Sequence, residues 1–128
     1  MTQTEAIRKW KESARHNLQI ARDLLRLGHF DWALFMGQLV LEKLFKGLIT
    51  SRTGRAPPYI HDLKKLADVA GLSLTREQMD DFQEITTYHI KARYEDIKRE
   101  LYKKATKEYA GKFFTKIEEY ARWLESLY

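Results

Sequence analysis

The chain has 128 residues, of which 44% are apolar and 32% are charged, and its formal net charge is +5. This length suits one domain with a single core, residues 1–128, and the composition excludes a disordered chain and a membrane-embedded one. The absence of cysteine excludes disulfides, a thiolate nucleophile and cysteine metal sites. The positive charge is compatible with a phosphate-bearing ligand, but no long run of basic residues marks a nucleic-acid surface.

No apolar stretch of the sequence approaches the length of a membrane-spanning helix. The first residues also lack the apolar core of a signal peptide. We therefore expect a cytoplasmic protein without membrane contact.

Apolar residues recur at helical spacing along the chain, and no alternating strand pattern appears. The sequence predicts an all-α protein, an up-and-down bundle of four long helices plus one short helix. Two capping boxes, Thr2–Glu5 and Thr75–Gln78, open helices. A loop with two prolines spans residues 52–60, and the apolar spacing changes at residues 92–97, which predicts a break. The predicted helices are residues 2–27, 30–51, 62–70, 75–92 and 103–127.

The segment 35–48 is apolar around most of its circumference, which is typical of a helix at the centre of a bundle. Gln38, Glu42 and Lys46 follow one another at helical i, i+4 spacing and form a polar stripe on it. Because burying an ionised group is unfavourable unless the group is paired, this stripe requires a partner or a cleft. The alternative is that Glu42 and Lys46 form a pair on the one wet face of the helix. The residues expected to be largely buried are Leu39, Leu41, Leu44, Phe45 and Leu48.

Most catalytic motifs are absent: the chain has no glycine-rich phosphate loop, no helical His-Glu metal motif and no serine in a nucleophile turn. His61 follows the proline loop, where it either has a structural role or binds a ligand. His89 shares a helical face with apolar residues, so it is either a hydrogen-bonded core residue or a general base. Arg93, one turn later, suits phosphate recognition. Tyr94 could stack on a base or pack inside the protein.

Several segments, taken in order, carry a resemblance to a known family. After an N-terminal helix with Trp10, they are GHFDWA (28–33), QLVLEKLFKGL (38–48), HDL (61–63) and ARYED (92–96). Together they resemble the HEPN domain, named for higher eukaryotes and prokaryotes nucleotide binding, over nearly the whole chain. The resemblance implies an up-and-down helical bundle that is commonly homodimeric and often encoded beside a small nucleotidyltransferase. Some such domains act as RNA-cleaving toxins.

The ribonuclease branch of the HEPN family carries an arginine that is followed a few residues later by a histidine, late in the bundle. No histidine follows Arg93 in this chain, and His89 precedes it. The pairs Arg22–His29 and Arg55–His61 have the spacing but lie in the first helix and the proline loop. This departure favours a binding role over ribonuclease activity.

Our leading hypothesis is a non-catalytic HEPN-like module in a two-component system of the toxin–antitoxin kind. It would bind a nucleotide, a small nucleotidyltransferase subunit, or both. In this hypothesis lysine and arginine side chains contact phosphate, Tyr94 stacks on the base and Glu42 orients a cation; no resident cofactor or metal is predicted. The candidate ligand-binding residues are Glu42, Lys43, Lys46, His61, Arg93 and Tyr94.

Two alternative functions remain open. The first is a metal-independent ribonuclease toxin in which His89 acts as general base and Arg93 stabilises the charge that develops in the transition state. The second is a purely structural or interaction bundle, whose polar residues serve folding alone.

Two further predictions concern the assembly of these parts. Glu42–Lys46 and His89–Arg93 should converge in one cleft that also holds Lys43, because polar groups that interrupt apolar faces satisfy one another when they meet. The chain should also form a homodimer, since its 3 Trp, 7 Tyr and 6 Phe exceed what a small core readily hides.

Overall fold

The computed structural model describes the backbone of residues 1–93 and 95–128, and the side chains outside residues 90–97. Within these residues it contains six helices and no strand, which confirms the all-α prediction. None of the helices in the described part of the chain has a stretch long and apolar enough to cross a membrane. The helices are α1 (Gln3–Arg26), α2 (Phe30–Thr53), α3 (Leu63–Val69), α4 (Arg76–Arg93), α5 (Glu95–Lys104) and α6 (Lys107–Ser126).

Local side-chain chemistry sets the ends of several helices. The Thr2 hydroxyl accepts a hydrogen bond from the Glu5 amide at 3.1 Å, and the Glu5 carboxylate accepts one from the Thr2 amide. Thr75 and Gln78 make the same exchange at the start of α4, so both predicted capping boxes are confirmed. Gly54 ends α2 with φ at 69°, a left-handed conformation that favours glycine.

Helix α2 lies at the centre of the bundle and packs against each of the other five helices. Its ring contact with α4 is typical of the core: Phe45 packs edge-to-face on Phe82, with 5.4 Å between the ring centroids. Leu39 is only half-buried, so the burial prediction is too strong for that residue. The other residues predicted to be buried in this helix are buried, namely Leu41, Leu44, Phe45 and Leu48.

Two glycines allow neighbouring helices to approach α2 closely. A Cβ atom at Gly37 would lie 2.7 Å from Cδ1 of Ile117 in α6. A Cβ atom at Gly47 would lie 2.9 Å from Cβ of Trp10 in α1 and would also collide with the Tyr128 hydroxyl. A larger side chain would therefore require Ile117 to change its rotamer at position 37, and would force α1 to shift outward at position 47.

The C-terminal part of the fold differs from the prediction. The sequence predicted one last helix from about residue 103, whereas α5 continues to Lys104 and α6 begins at Lys107. Thr106 sets this boundary, because its hydroxyl accepts a hydrogen bond from the Tyr109 amide at 3.2 Å as an N-cap. A break was predicted at residues 92–97. This prediction depends on Tyr94 and on neighbouring side chains, which lie outside the described residues.

Candidate functional site

The Glu42 carboxylate, in the middle of α2, is the centre of a buried polar cluster. Its Oε1 atom accepts hydrogen bonds from Gln38 Nε2 at 3.0 Å and from His61 Nδ1 at 2.9 Å. Its Oε2 atom accepts from Lys46 Nζ at 3.0 Å. Burial by itself would raise the pKa of this carboxyl group. The hydrogen bonds from its three donors outweigh burial, so the pKa of Glu42 is lowered from its ordinary value and the group is ionised at neutral pH.

The polar stripe predicted along α2 is confirmed. It is buried, however, whereas the alternative interpretation placed it on a solvent-exposed face of the helix. Glu42 and Lys46 do form an i,i+4 ion pair, and their side chains are only 7% and 9% exposed. That alternative is therefore right about the pair and wrong about its exposure. The reason is that α2 is covered by other helices on nearly every side, which leaves the stripe no wet face to occupy.

His61 is held against α2 and α4 by the loop that precedes α3. Gln38 Nε2, which also donates to Glu42, donates a hydrogen bond to the His61 carbonyl oxygen at 3.1 Å. The next residues fix the loop to α4, since the Leu63 amide donates to the Thr86 hydroxyl at 3.0 Å. Asp62 caps α3 by accepting from the Lys65 amide at 3.2 Å. The His61 ring remains 45% exposed, so it connects the buried carboxylate with the protein surface.

His89 of α4 joins this cluster through its ring. The His61 and His89 rings stack with 4.0 Å between centroids and 19° between planes. Phe35 of α2 lies 5.8 Å from the His89 ring by the same measure. Donor atoms of Glu42, His61 and His89, one from each, all lie within 4.8 Å of one another. The α2 stripe therefore meets His89, as predicted, while the Arg93 half of the predicted convergence lies outside the described side chains.

Lys43 does not share this cluster, and the prediction that it does is wrong. Its Nζ atom donates to Ser13 Oγ at 2.6 Å and to Asn17 Oδ1 at 2.5 Å, both on α1. Successive residues on a helix point about 100° apart, so neighbours of Glu42 turn away from the stripe. Burial lowers the pKa of Lys43, and the nearby Glu42 charge opposes that shift in part.

Arg93 and Tyr94 were both predicted to contact the ligand, and their side chains lie outside the described residues. The backbone of α4 extends to Arg93, which is one helical turn beyond His89. A groove of about 330 Å³ lies between α3 and α4, and no residue of the cluster lines it. Its lining residues are Asp62, Lys64, Lys65, Asp68, Gln83 and Thr86.

The role of Gln38 goes beyond its predicted place in the stripe. Its Nε2 atom binds both the Glu42 carboxylate and the His61 backbone, while its Oε1 atom is buried without a hydrogen-bond partner among the described residues. An unsatisfied buried amide oxygen is unfavourable by about 1–3 kcal/mol. A hydrogen-bond donor such as a water molecule would satisfy this oxygen. The i, i+4 spacing signalled the contact with Glu42, but nothing local signalled the contact with the loop.

The fold and this cluster define a class of protein, an all-helical bundle whose central helix carries a buried polar site. A scan of protein families matches the HEPN domain over residues 7–127. The chain belongs to the HEPN domain family. Domains of this family often form dimers or bind nucleotides or RNA.

A solved structure shares the fold closely. The chain is similar to the protein TT1696 from Thermus thermophilus, known from a crystal structure, with 26% sequence identity and a TM-score of 0.78. The match covers 95% of this chain and 98% of the Thermus chain, so the two share the whole helical arrangement. A search of curated proteins gave no match.

Proposed function

We propose that this HEPN domain is a binding module for a phosphate-bearing ligand, a nucleotide or an RNA, and works with a small nucleotidyltransferase subunit in a two-component system. The ligand would bind where His61 exposes the buried cluster. One observation carries the proposal: a stack of two histidines joins the buried stripe of α2 to the surface. Membership of the HEPN family supports the same conclusion.

The charges within the cluster do not oppose an anion. The negative charge of Glu42 is balanced within the cluster by Lys46 at 3.0 Å, so the carboxylate does not repel phosphate on its own. Protonated on both ring nitrogens, His61 would donate Nδ1–H to Glu42 and Nε2–H to a phosphate oxygen. Arg93, one turn beyond His89 in α4, would add a bidentate phosphate contact.

Binding of two probes without metal tests the ligand part of the proposal. A fluorescent single-stranded RNA and a nucleoside triphosphate are titrated with the full chain in the presence of EDTA. We expect His61→Ala and Arg93→Ala each to weaken binding about tenfold, the effect of losing a hydrogen bond to a charged group worth roughly 1.5 kcal/mol. Lys43→Ala should bind like the unmodified chain, since Lys43 faces α1.

The matched control for these variants is Arg8→Ala. It removes one positive charge from an exposed i,i+4 pair on α1, a helix that packs on α2 and α6. Affinity should stay unchanged in this control. The proposal fails if neither probe binds, or if His61→Ala and Arg93→Ala bind as tightly as the control.

The partner part of the proposal has its own test. We expect a small nucleotidyltransferase gene beside the gene of this chain, and co-expression of the two should give a complex that elutes as one species. Two proteins that elute separately at high micromolar concentration would contradict this part and leave the ligand part standing.

A metal-independent ribonuclease is the second candidate function, and one contact favours it. The Glu42 carboxylate holds the His61 ring beside His89, so two imidazoles lie together, as a general base and a general acid would. Incubation of the chain with generic RNA in EDTA tests this activity. If the chain cleaves RNA and His89→Ala does not, the function is that of a ribonuclease that uses His89 and Arg93, and the proposed binding function is wrong.

A further inference from the structure

We propose that Glu42, His61 and His89 form a binding site for a divalent transition metal, of the two-histidine, one-carboxylate type. The three residues come from α2, the loop before α3, and α4, so no single helix carries a metal motif. One donor atom from each lies within 4.8 Å of the other two. Imidazole and carboxylate donors in this ratio are characteristic of zinc and of non-haem iron sites.

The separation of two donors already suits a shared ion. Glu42 Oε1 and His61 Nδ1 lie 2.9 Å apart. Ligands bound to zinc at about 2.0–2.2 Å, with angles of about 90–110° between them, are about 2.8–3.6 Å apart. A proton occupies this contact in the metal-free protein, and a metal ion would take its place between the same two atoms.

The stacked rings must rotate apart for His89 to complete the site. Ring lone pairs lie in the ring planes, so two rings that are 19° from parallel do not aim at one point. His61 can supply the movement by rotation of its side chain, which is 45% exposed, while its backbone stays held by Gln38. His89 is 8% exposed and is held by α4, so it provides the fixed side of the site.

Neighbouring groups already orient the carboxylate as they do around metal ligands. Gln38 donates to Oε1 at 3.0 Å, and Lys46 donates to Oε2 at 3.0 Å. The lysine leaves Oε1 as the oxygen for the metal. Its positive charge also lowers the affinity for a cation and favours an anionic ligand at the open metal positions.

Titration of the untagged full chain with Zn²⁺ alone tests the proposal by calorimetry. We expect one ion per chain, and a loss of affinity of at least about tenfold in His61→Ala and in His89→Ala. Even the loss of a residue that only hydrogen-bonds to a metal ligand lowers metal affinity by about this factor. His16→Ala and His29→Ala are matched controls at exposed histidines and should bind like the unmodified chain. Bound Co²⁺ should give a visible absorption spectrum that both site variants lose.

Lys46→Met separates this proposal from the phosphate-binding function, on which it does not depend. Removal of the ammonium group should tighten Zn²⁺ binding and weaken phosphate binding measured in EDTA. Circular dichroism of each variant checks that it is folded. If His89→Ala does not fold, His61→Ala, at an exposed loop residue, still tests the proposal. The metal site is refuted if the unmodified chain binds no Zn²⁺, or if His61→Ala binds it equally well.

Discussion

At the scale of single residues, the fate of each charged group on α2 depends on the direction in which its side chain points. Glu42 and Lys46 face the same way and form a buried ion pair, whereas Lys43 turns to Ser13 and Asn17. The identity of Glu42 matters most, since its carboxylate accepts from three separate donors. Loss of its charge would leave the Lys46 ammonium buried without compensation.

Glu42→Gln should therefore lower the free energy of unfolding by about 3 kcal/mol at pH 7, as expected when one partner of a buried ion pair is removed. The pKa of Glu42 is lowered in the folded protein, so the ionised carboxylate stabilises the fold above the ordinary value of 4.5. That stabilisation is lost as the pH falls through the lower, folded-state pKa. Denaturant unfolding from pH 7 downward should show the difference between the two proteins shrink below pH 4.5.

The control for this prediction is Glu12→Gln, which removes the carboxylate of an exposed i,i+4 pair on α1. Such pairs contribute about 0–1 kcal/mol, so this variant should unfold almost like the unmodified chain at every pH. Equal effects of the two substitutions would mean that Glu42 is not buried with Lys46.

At the scale of helices, α2 is the element on which the others assemble. Its sequence made this predictable, because residues 35–48 are apolar around most of the helix and three polar residues follow one stripe. The boundary between α5 and α6 was less predictable. Thr106 caps α6 without the acidic or amide partner that marks a capping box, so the sequence carried only half of the usual signal.

Leu44→Ala tests the position of α2. Leu44 is 1% exposed, and truncation of a buried leucine destabilises a protein by about 2–5 kcal/mol through lost contacts and the cavity that remains. Leu27→Ala provides the comparison, since that leucine is 63% exposed and should change stability by less than about 0.5 kcal/mol. A loss below about 0.5 kcal/mol for Leu44→Ala would place α2 at the edge of the bundle.

At the scale of the whole molecule, the sequence predicted the composition of the site better than its geometry. Gln38, Glu42, His61 and His89 were all singled out, because each is polar within or beside an apolar segment. The stacking of His61 on His89 could not be predicted, since it depends on how the loop before α3 packs against α4. Such long-range packing leaves no local pattern in one sequence.

The oligomeric state is the third prediction. Most of the described aromatic side chains are buried in the core or packed against it, which weakens their number as an argument for a dimer. Trp32 and Tyr102 nevertheless remain 41% and 71% exposed. Exposed aromatic residues are typical of interfaces. We therefore expect sedimentation at twice the monomer mass of 15.2 kDa at high micromolar concentration.

Trp32→Lys should shift this equilibrium toward the monomer if the exposed ring lies in the interface. Tyr59→Lys, at a fully exposed loop residue, is the control and should sediment like the unmodified chain. A monomer at all concentrations for the unmodified chain would rule out the dimer.

The close approach of helices at Gly37 and Gly47 also bears on the order of folding. Each glycine within a helix weakens it by about 1 kcal/mol relative to alanine, so α2 is a poor helix in isolation despite its length. By contrast, α1 begins with a capping box and is amphipathic, so it has local signals of its own. We therefore expect the centre of the bundle to become helical as α1 and α6 close on it, so that secondary structure and assembly at α2 form in one cooperative step.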